Sequence, residues 1–326
     1  MKTRIAPTPS GLVHAGNAWS FLLTWLLARS RGGSIHLRID DLDAARLREE
    51  YVGDVFASLV WLGLDWDSGP RSVPEALGPF SQRARLDRYR AALQVLAAQE
   101  TADGPLVYPC ACSREKVKRD ALAAGRPGIY PGTCRRAGLA FDRSSAVPGR
   151  EAGADSFPLR IRVPEDAAFS VAGAEPGAVA TLSPGKDMGD FVIWQRDGEP
   201  AYQLASLVDD EEYGIDLVVR GRDLLPSTGA QAYLASRLGY PGFARARFLH
   251  HALLVDAPGG KLSKSEGADS LRALRERLPG PGPLLRRFAD FLGLGPGEVS
   301  RADDLLADFS PSRIPEHAIP WTGLSF

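Results

Sequence analysis

No stretch of this 326-residue chain approaches the roughly 18 to 20 consecutive apolar residues that a membrane-spanning helix needs. The amino terminus, Met1-Lys2-Thr3-Arg4 running directly into Ile5-Ala6-Pro7, lacks the apolar core of a secretory leader, so a cytoplasmic protein is expected. Excess charge is missing as well. A net charge of −1 gives no overall attraction to polyanions, so a nucleic-acid partner would have to be held by local basic patches. Cysteine is scarce: there are three, an odd number, and only Ala111 separates Cys110 from Cys112. That spacing argues against a secreted disulfide scaffold and makes metal ligation the reading to test. No internal repeat is evident.

What is present is an ordinary apolar content of 44%, enough for a substantial core. From Ala15 to Arg31, Trp19, Leu22, Leu23, Leu26 and Leu27 recur at helical spacing, and Gly32-Gly33 ends the run, which predicts an amphipathic helix. Arg4-Ile5-Ala6 before it and Ser34 to Ile39 after it read as strands, and Leu47 to Leu62 as a second helix. Strand, helix, strand, helix favours an α/β fold with a parallel sheet. Between about residues 100 and 185 the cysteines appear, followed by Gly/Ala/Pro/Ser-rich stretches, as expected of a loop-rich insertion. The α/β pattern resumes with Phe191 to Trp194, the helical Tyr202 to Val208, the strand Ile215 to Val219, the helix Ala230 to Leu238 and the strand Phe248 to Val255. A short helix, Leu284 to Leu292, lies in a tail too small for another substantial α/β domain. The divisions expected are a catalytic first half over 1–99, an insertion over 100–185, a second half over 186–260 and a C-terminal segment over 261–326.

Two segments suit phosphate chemistry. Ala6-Pro7-Thr8-Pro9-Ser10-Gly11-Leu12-Val13-His14-Ala15-Gly16-Asn17 leaves a strand and opens the first helix, where free N–H groups and the positive dipole end attract anions. His14 can donate to phosphate oxygens, and Gly16 leaves room for a nucleotide against the backbone. Alone, such a segment is as often an exposed His beside a packing Gly. Its partner is Lys261-Leu262-Ser263-Lys264-Ser265, which follows a Pro/Gly turn after an apolar strand. Its ammonium and hydroxyl groups can neutralise a departing pyrophosphate.

With these two segments the chain resembles the class I aminoacyl-tRNA synthetases, whose HIGH and KMSKS signatures correspond to His14–Asn17 and Lys261–Ser265, with Asn17 departing from the usual fourth position. The text RIAPTPSGLVHAGN, the RIDDLD run at Arg38–Asp43, the WQRDGEPAYQLASLVDD run at Trp194–Asp210 and the VVRGRDLL run at Val218–Leu225 resemble the glutamyl branch. Within it the chain is most similar to the glutamyl-queuosine tRNA(Asp) synthetases, truncated paralogues without an anticodon-binding domain. That resemblance implies a Rossmann-like parallel sheet split by a zinc-containing insertion. It also implies L-glutamate activation with ATP and magnesium, and transfer to queuosine in the anticodon of tRNA(Asp).

By the same resemblance, Arg4, Ala6, Thr8, Asp40, Tyr202 and Arg220 would bind glutamate. Thr8, His14, Gly16, Asn17, Lys261, Ser263 and Lys264 would bind ATP, with His14, Lys261 and Lys264 as electrostatic clamps in catalysis. Asp40 stands where the family has Glu, one methylene longer. Cys110, Cys112, Tyr130 and Cys134 match the family's structural zinc site, the alternative being cysteines packed as small apolar residues. Residues 113–136 hold seven cations (Arg114, Lys116, Lys118, Arg119, Arg126, Arg135, Arg136) against Glu115 and Asp120, a patch that could track RNA phosphates or simply be a solvated helix. A monomer is expected. Rival readings are a glutamate–tRNA ligase charging the terminal adenosine, a nucleotidyltransferase making a dinucleotide, and a non-catalytic RNA-binding relic.

Overall fold

In the computed structural model, residues 1–139, 157–256, 270–295 and 297–324 are described. The first elements follow the sequence pattern: β1 (Lys2–Ile5), α1 (Ala15–Arg29), β2 (Ser34–Leu37) and α2 (Glu49–Leu62). After them come α3 (Leu86–Ala97), α4 (Arg114–Ala123), β3 (Phe169–Gly173), β4 (Val179–Leu182) and α5 (Tyr202–Glu212). β5 (Leu217–Gly221), α6 (Leu225–Leu238), β6 (Arg247–His251) and α7 (Gly282–Phe291) complete the main elements.

The six strands form one sheet in the order β2-β1-β5-β6-β3-β4. All neighbours run parallel except β3 and β4. The sheet is therefore mixed, where the sequence pattern predicts a parallel one. β5 shows why it separates two cores: Leu217 and Val219 face one apolar cluster and Val218 the other, the two-residue alternation of a strand covered on both sides.

Helix α1 departs from the narrow stripe read in its sequence. Besides that stripe, Phe21, Thr24, Trp25 and Ala28 are buried, because the helix lies between the sheet and the C-terminal segment. Trp19 packs on Phe288 and Phe291 of α7, with ring centroids 5.4 and 6.0 Å away. The small tail thus closes the far side of the first helix.

The stretch assigned to the insertion also divides differently. β3 and β4 join the main sheet through β6, although they fall within the expected 100–185 segment. Their exposed alternation and small residues carry little apolar signal, so composition reads them as loop. Conversely, Val192–Trp194 leaves the main sheet and pairs with Leu159–Ile161, which pairs with Val107–Pro109, in a separate antiparallel sheet. The predicted strand Phe248–Val255 splits into β6 and a short Leu254–Val255 strand paired with Ile319–Pro320.

Candidate active site and metal centre

β1 has β2 on one side and β5 on the other, so the chain reverses its direction of travel across the sheet at β1. Ligands of open α/β sheets bind in the crevice beyond the strand ends at such a reversal. A cleft of about 680 Å³ lies there. It is lined by Arg4 to Thr8 from the end of β1, Ser10 to His14 from the following loop, and Val219 to Gly221 from the end of β5. Gly16, Asn17, Tyr202 and His251 are also among its lining residues.

His14 is the N-cap of α1. Its Nδ1 accepts the Gly16 N–H at 3.1 Å, while Asn17 Oδ1 accepts the His14 N–H at 3.2 Å. This reciprocal cap gives Asn17 a defined place: its amide satisfies the helix start. Because Nδ1 is an acceptor, a neutral His14 ring carries its proton on Nε2. A Cβ at position 16 would lie 3.0 Å from the imidazole, so any larger residue would press the ring out of its place over the helix end by a few tenths of an ångström. Lys261, Ser263 and Lys264 lie outside the described residues. Both flanks of that segment border the cleft. Leu254 lines it, and Ser270 forms a β-bridge to His14 while the Leu271 N–H donates to Val13 O at 2.8 Å.

At the other end of the cleft, Arg4, Arg38 and Arg220 are almost fully buried. Arg4 Nε donates to both Asp210 oxygens at 3.3 Å, and Arg38 donates to Asp210 at 2.7 Å and Asp40 at 2.6 Å. Burial alone would raise the Asp210 pKa, but Arg4, Arg38 and Arg220 hold it below the usual carboxylate range. Arg220 is different. It donates to Thr228 Oγ1 at 2.5 Å, Gln231 Oε1 at 2.9 Å and Tyr202 Oη at 3.4 Å, all neutral groups. No carboxylate pairs with it among the described residues, its Nε has no hydrogen-bond partner, and burial lowers its pKa. A buried guanidinium beside an open cleft, with Asp210 near but no carboxylate hydrogen-bonded to it among the described residues, is chemically suited to an anionic ligand.

The other predicted contacts sort clearly. Ala6 and Thr8 line the cleft. Asp40 does not: its carboxylate is engaged by Arg38, its N–H donates to Pro7 O at 2.9 Å, and burial raises its pKa despite Arg38. It therefore supports the Ala6–Thr8 loop from beneath. Sequence reading gave no role to Asp210, Thr228, Gln231 or His251. Only Asp210 carried a signal, as part of an acidic pair on an apolar helix face, where a buried carboxylate calls for a cation.

The cysteines converge around Tyr130. The Sγ atoms of Cys110, Cys112 and Cys134 lie within 4.8 Å of one another. Tyr130 Oη is 3.4 Å from Cys110 Sγ and 3.9 Å from Cys112 Sγ, and it accepts the Cys134 N–H at 2.7 Å. Burial, the bond to Cys134 and the charge of Cys110 push the Cys112 thiol up to about 11. Burial and the bonds to Cys110 and Cys134 also raise the Tyr130 phenol. As a donor set, three soft sulfurs and one oxygen fit a small closed metal site.

The family of the chain follows from comparison with known proteins. The model of the class I tRNA synthetase catalytic domain (E and Q) matches residues 1–290. The chain belongs to this family. A glutamyl-Q tRNA(Asp) synthetase of Symbiobacterium thermophilum is 41% identical over 324 residues, covering 97% of this chain and 94% of its own. One from Nitratidesulfovibrio vulgaris is 38% identical over 308 residues, covering 93% and 89%. Among solved structures, a glutamate tRNA ligase from Elizabethkingia meningosepticum in complex with its amino acid superposes with a TM-score of 0.75 at 23% identity, over 99% of this chain and 67% of that one. The last likeness shows a shared fold. Among the described residues no helix is long and apolar enough to cross a membrane.

Proposed function

We propose that this family member activates L-glutamate with ATP and transfers the glutamyl group to queuosine in the anticodon of tRNA(Asp). The observation that carries the first half is Arg220, a buried cation without a carboxylate partner among the described residues, across the cleft from the His14 helix start. The names of the relatives that match along most of both chains support the tRNA(Asp) acceptor.

In this reading Arg220 and the Tyr202 hydroxyl take a substrate carboxylate, with Arg4 adding positive potential from the floor of the cleft. ATP lies along the loop from Thr8 to Asn17, its phosphates facing the amino terminus of α1 and the Nε2–H of His14. An α-carboxylate oxygen of glutamate attacks the α-phosphorus, a new P–O bond forms, and pyrophosphate leaves. Alignment and neutralisation of charge suffice, and no protein base is required. Magnesium, where bound with ATP, would add charge neutralisation on the phosphates. Lys261 and Lys264 would add theirs. A hydroxyl of the queuosine cyclopentenediol then attacks the acyl carbonyl and AMP departs. Cys110, Cys112, Tyr130 and Cys134 would hold zinc, which braces the insertion and takes no part in the reaction.

The test is transfer of labelled glutamate to tRNA(Asp) with and without queuosine. Label is expected only on the queuosine-containing tRNA, at the anticodon. Label on the terminal ribose would instead identify a glutamate–tRNA ligase, and ATP–pyrophosphate exchange independent of glutamate would point to a nucleotidyltransferase.

A further inference from the structure

One buried carboxylate that the proposed chemistry does not use touches both the loop that carries His14 and the helix that begins at Leu271. Asp54, on α2, is 2% exposed. Its Oδ2 accepts the Val13 N–H at 2.8 Å, immediately before His14. Its Oδ1 accepts from Arg275 Nη2 at 2.7 Å and lies 3.7 Å from Arg272 Nε. Both arginines belong to the helix Leu271–Arg277, the first helix after the segment that contains Lys261–Ser265. Along α2, Glu50, Asp54 and Ser58 stand four residues apart and form one stripe facing that helix. Glu50 pairs with Arg272, and Ser58 accepts from Arg275 at 2.7 Å.

Val13 is thereby held on both of its backbone polar groups, its N–H by Asp54 and its carbonyl by Leu271. A surface ion pair would have no reason to engage the peptide next to the N-cap. The Val13–His14 peptide sets the direction in which the imidazole leaves the helix start. Arg275 carries the same carboxylate to the helix that receives the chain at Ser270.

We infer that Asp54 is a positioning residue for the nucleotide site, fixing the His14 loop and, through Arg275, the Leu271–Arg277 helix relative to each other. It touches neither substrate, and the inference rests on the reading of the cleft as an ATP site. The proposed glutamate contacts, Arg220 and Tyr202, lie on β5 and α5, and the hydrogen bonds that hold Arg220 go to Tyr202, Thr228 and Gln231 rather than to Asp54 or its partners. Loss of Asp54 therefore lowers turnover without weakening glutamate.

The experiment is glutamate-dependent ATP–pyrophosphate exchange, with tRNA(Asp) present, on the full chain and on Asp54→Ala, Asp54→Asn, Asp54→Glu, Arg275→Lys and the double variant Asp54→Ala/Arg275→Ala. Misplacing a reacting group by about 1 Å costs on the order of 100-fold, so a fall in kcat of roughly 10- to 100-fold is expected for Asp54→Ala, with the glutamate KM unchanged. Asp54→Asn, which keeps an acceptor for Val13, should lose less. In kcat the double variant should be no worse than Asp54→Ala, because Arg275 acts on the His14 loop through Asp54. Folded variants with unaltered kcat, or losses confined to thermal midpoint or to the glutamate KM, overturn the inference. If Asp54→Ala does not fold, Asp54→Asn and Arg275→Lys decide by the same criteria. Absence of exchange in the unaltered chain overturns the functional reading itself, and this inference with it. Exchange in the unaltered chain with an equal rate in Asp54→Asn and Arg275→Lys overturns this inference alone.

Discussion

Arg220 and Arg4 carry the same charge on adjacent strands of one sheet, yet their surroundings assign them different work. Arg4 is neutralised by Asp210, whereas Arg220 is propped by Thr228 and Gln231, which orient a guanidinium without satisfying its charge. Removing the charge should therefore show in binding. Truncating one member of a buried charged pair typically costs about 2–5 kcal/mol, so Arg220→Ala is expected to raise the glutamate KM by at least about 30-fold with a smaller effect on the ATP KM. Arg220→Lys should not restore it, because an ammonium cannot reproduce a fork held by Thr228 and Gln231. Steady-state exchange kinetics in both substrates check this; an unchanged glutamate KM in Arg220→Ala would remove Arg220 from the substrate site. The candidates Arg4, His14, Tyr202 and Arg220 were legible because they sit in motifs at strand ends and a helix start. Their partners were not: Thr228 and Gln231 are ordinary helix residues whose meaning exists only once α6 is packed beside β5. Asp40 illustrates the converse, a motif position whose carboxylate the folded chain spends on Arg38.

Among elements, those with a strong period were readable and those with a weak one were not. The stripe on α1 predicts the helix to within two residues, but its near-complete burial depends on α7 and the tail, which lie more than 250 residues away in sequence. β3 and β4 escaped because short strands of mostly small or exposed residues, β4 at the sheet's edge and β3 beside it, lack an alternating apolar signal. The cysteine cluster is an element-level device of another sort: a short strand, the start of α4 and the turn after it are tied at one point. If zinc is the tie, the purified chain should contain one equivalent, and Cys134→Ala or a strong chelator should remove it. The expected consequence is local, proteolysis within the 107–136 region at unchanged proteolysis of the α1–β2 core, because a closed structural site supports only the segment it links. Metal analysis and limited proteolysis with fragment mapping check this, and metal-free protein with an equally resistant insertion would identify the sulfurs as packing residues.

At the scale of the molecule, the cleft at the β1–β5 reversal and the cluster around Tyr130 are built by different parts of the chain. Asp190 secures the insertion, accepting from Tyr108 at 2.5 Å, Arg135 at 2.6 Å and the Val163 N–H at 2.9 Å. This bracing consumes part of the basic patch read from the sequence. Arg135 is paired with Asp190, Arg126 with Glu165, and Lys116 with Asp120. Arg114 and Lys118 keep exposed side chains with no partner among the described residues, and their spacing of four puts them on one face of α4. RNA tracking along this face would therefore depend on those two. Each phosphate contact contributes a slope of about 0.7–0.9 to the salt dependence of binding, so Arg114→Ala/Lys118→Ala should weaken tRNA(Asp) and reduce the log–log salt slope by roughly 1 to 2. The KM for tRNA should rise while kcat at saturating tRNA and the KM for ATP stay constant, since neither residue approaches the cleft. Filter binding across a salt series, paired with transfer kinetics, separates this from a change in the catalytic centre. An unchanged slope would leave α4 a solvated helix and move the RNA path to another face.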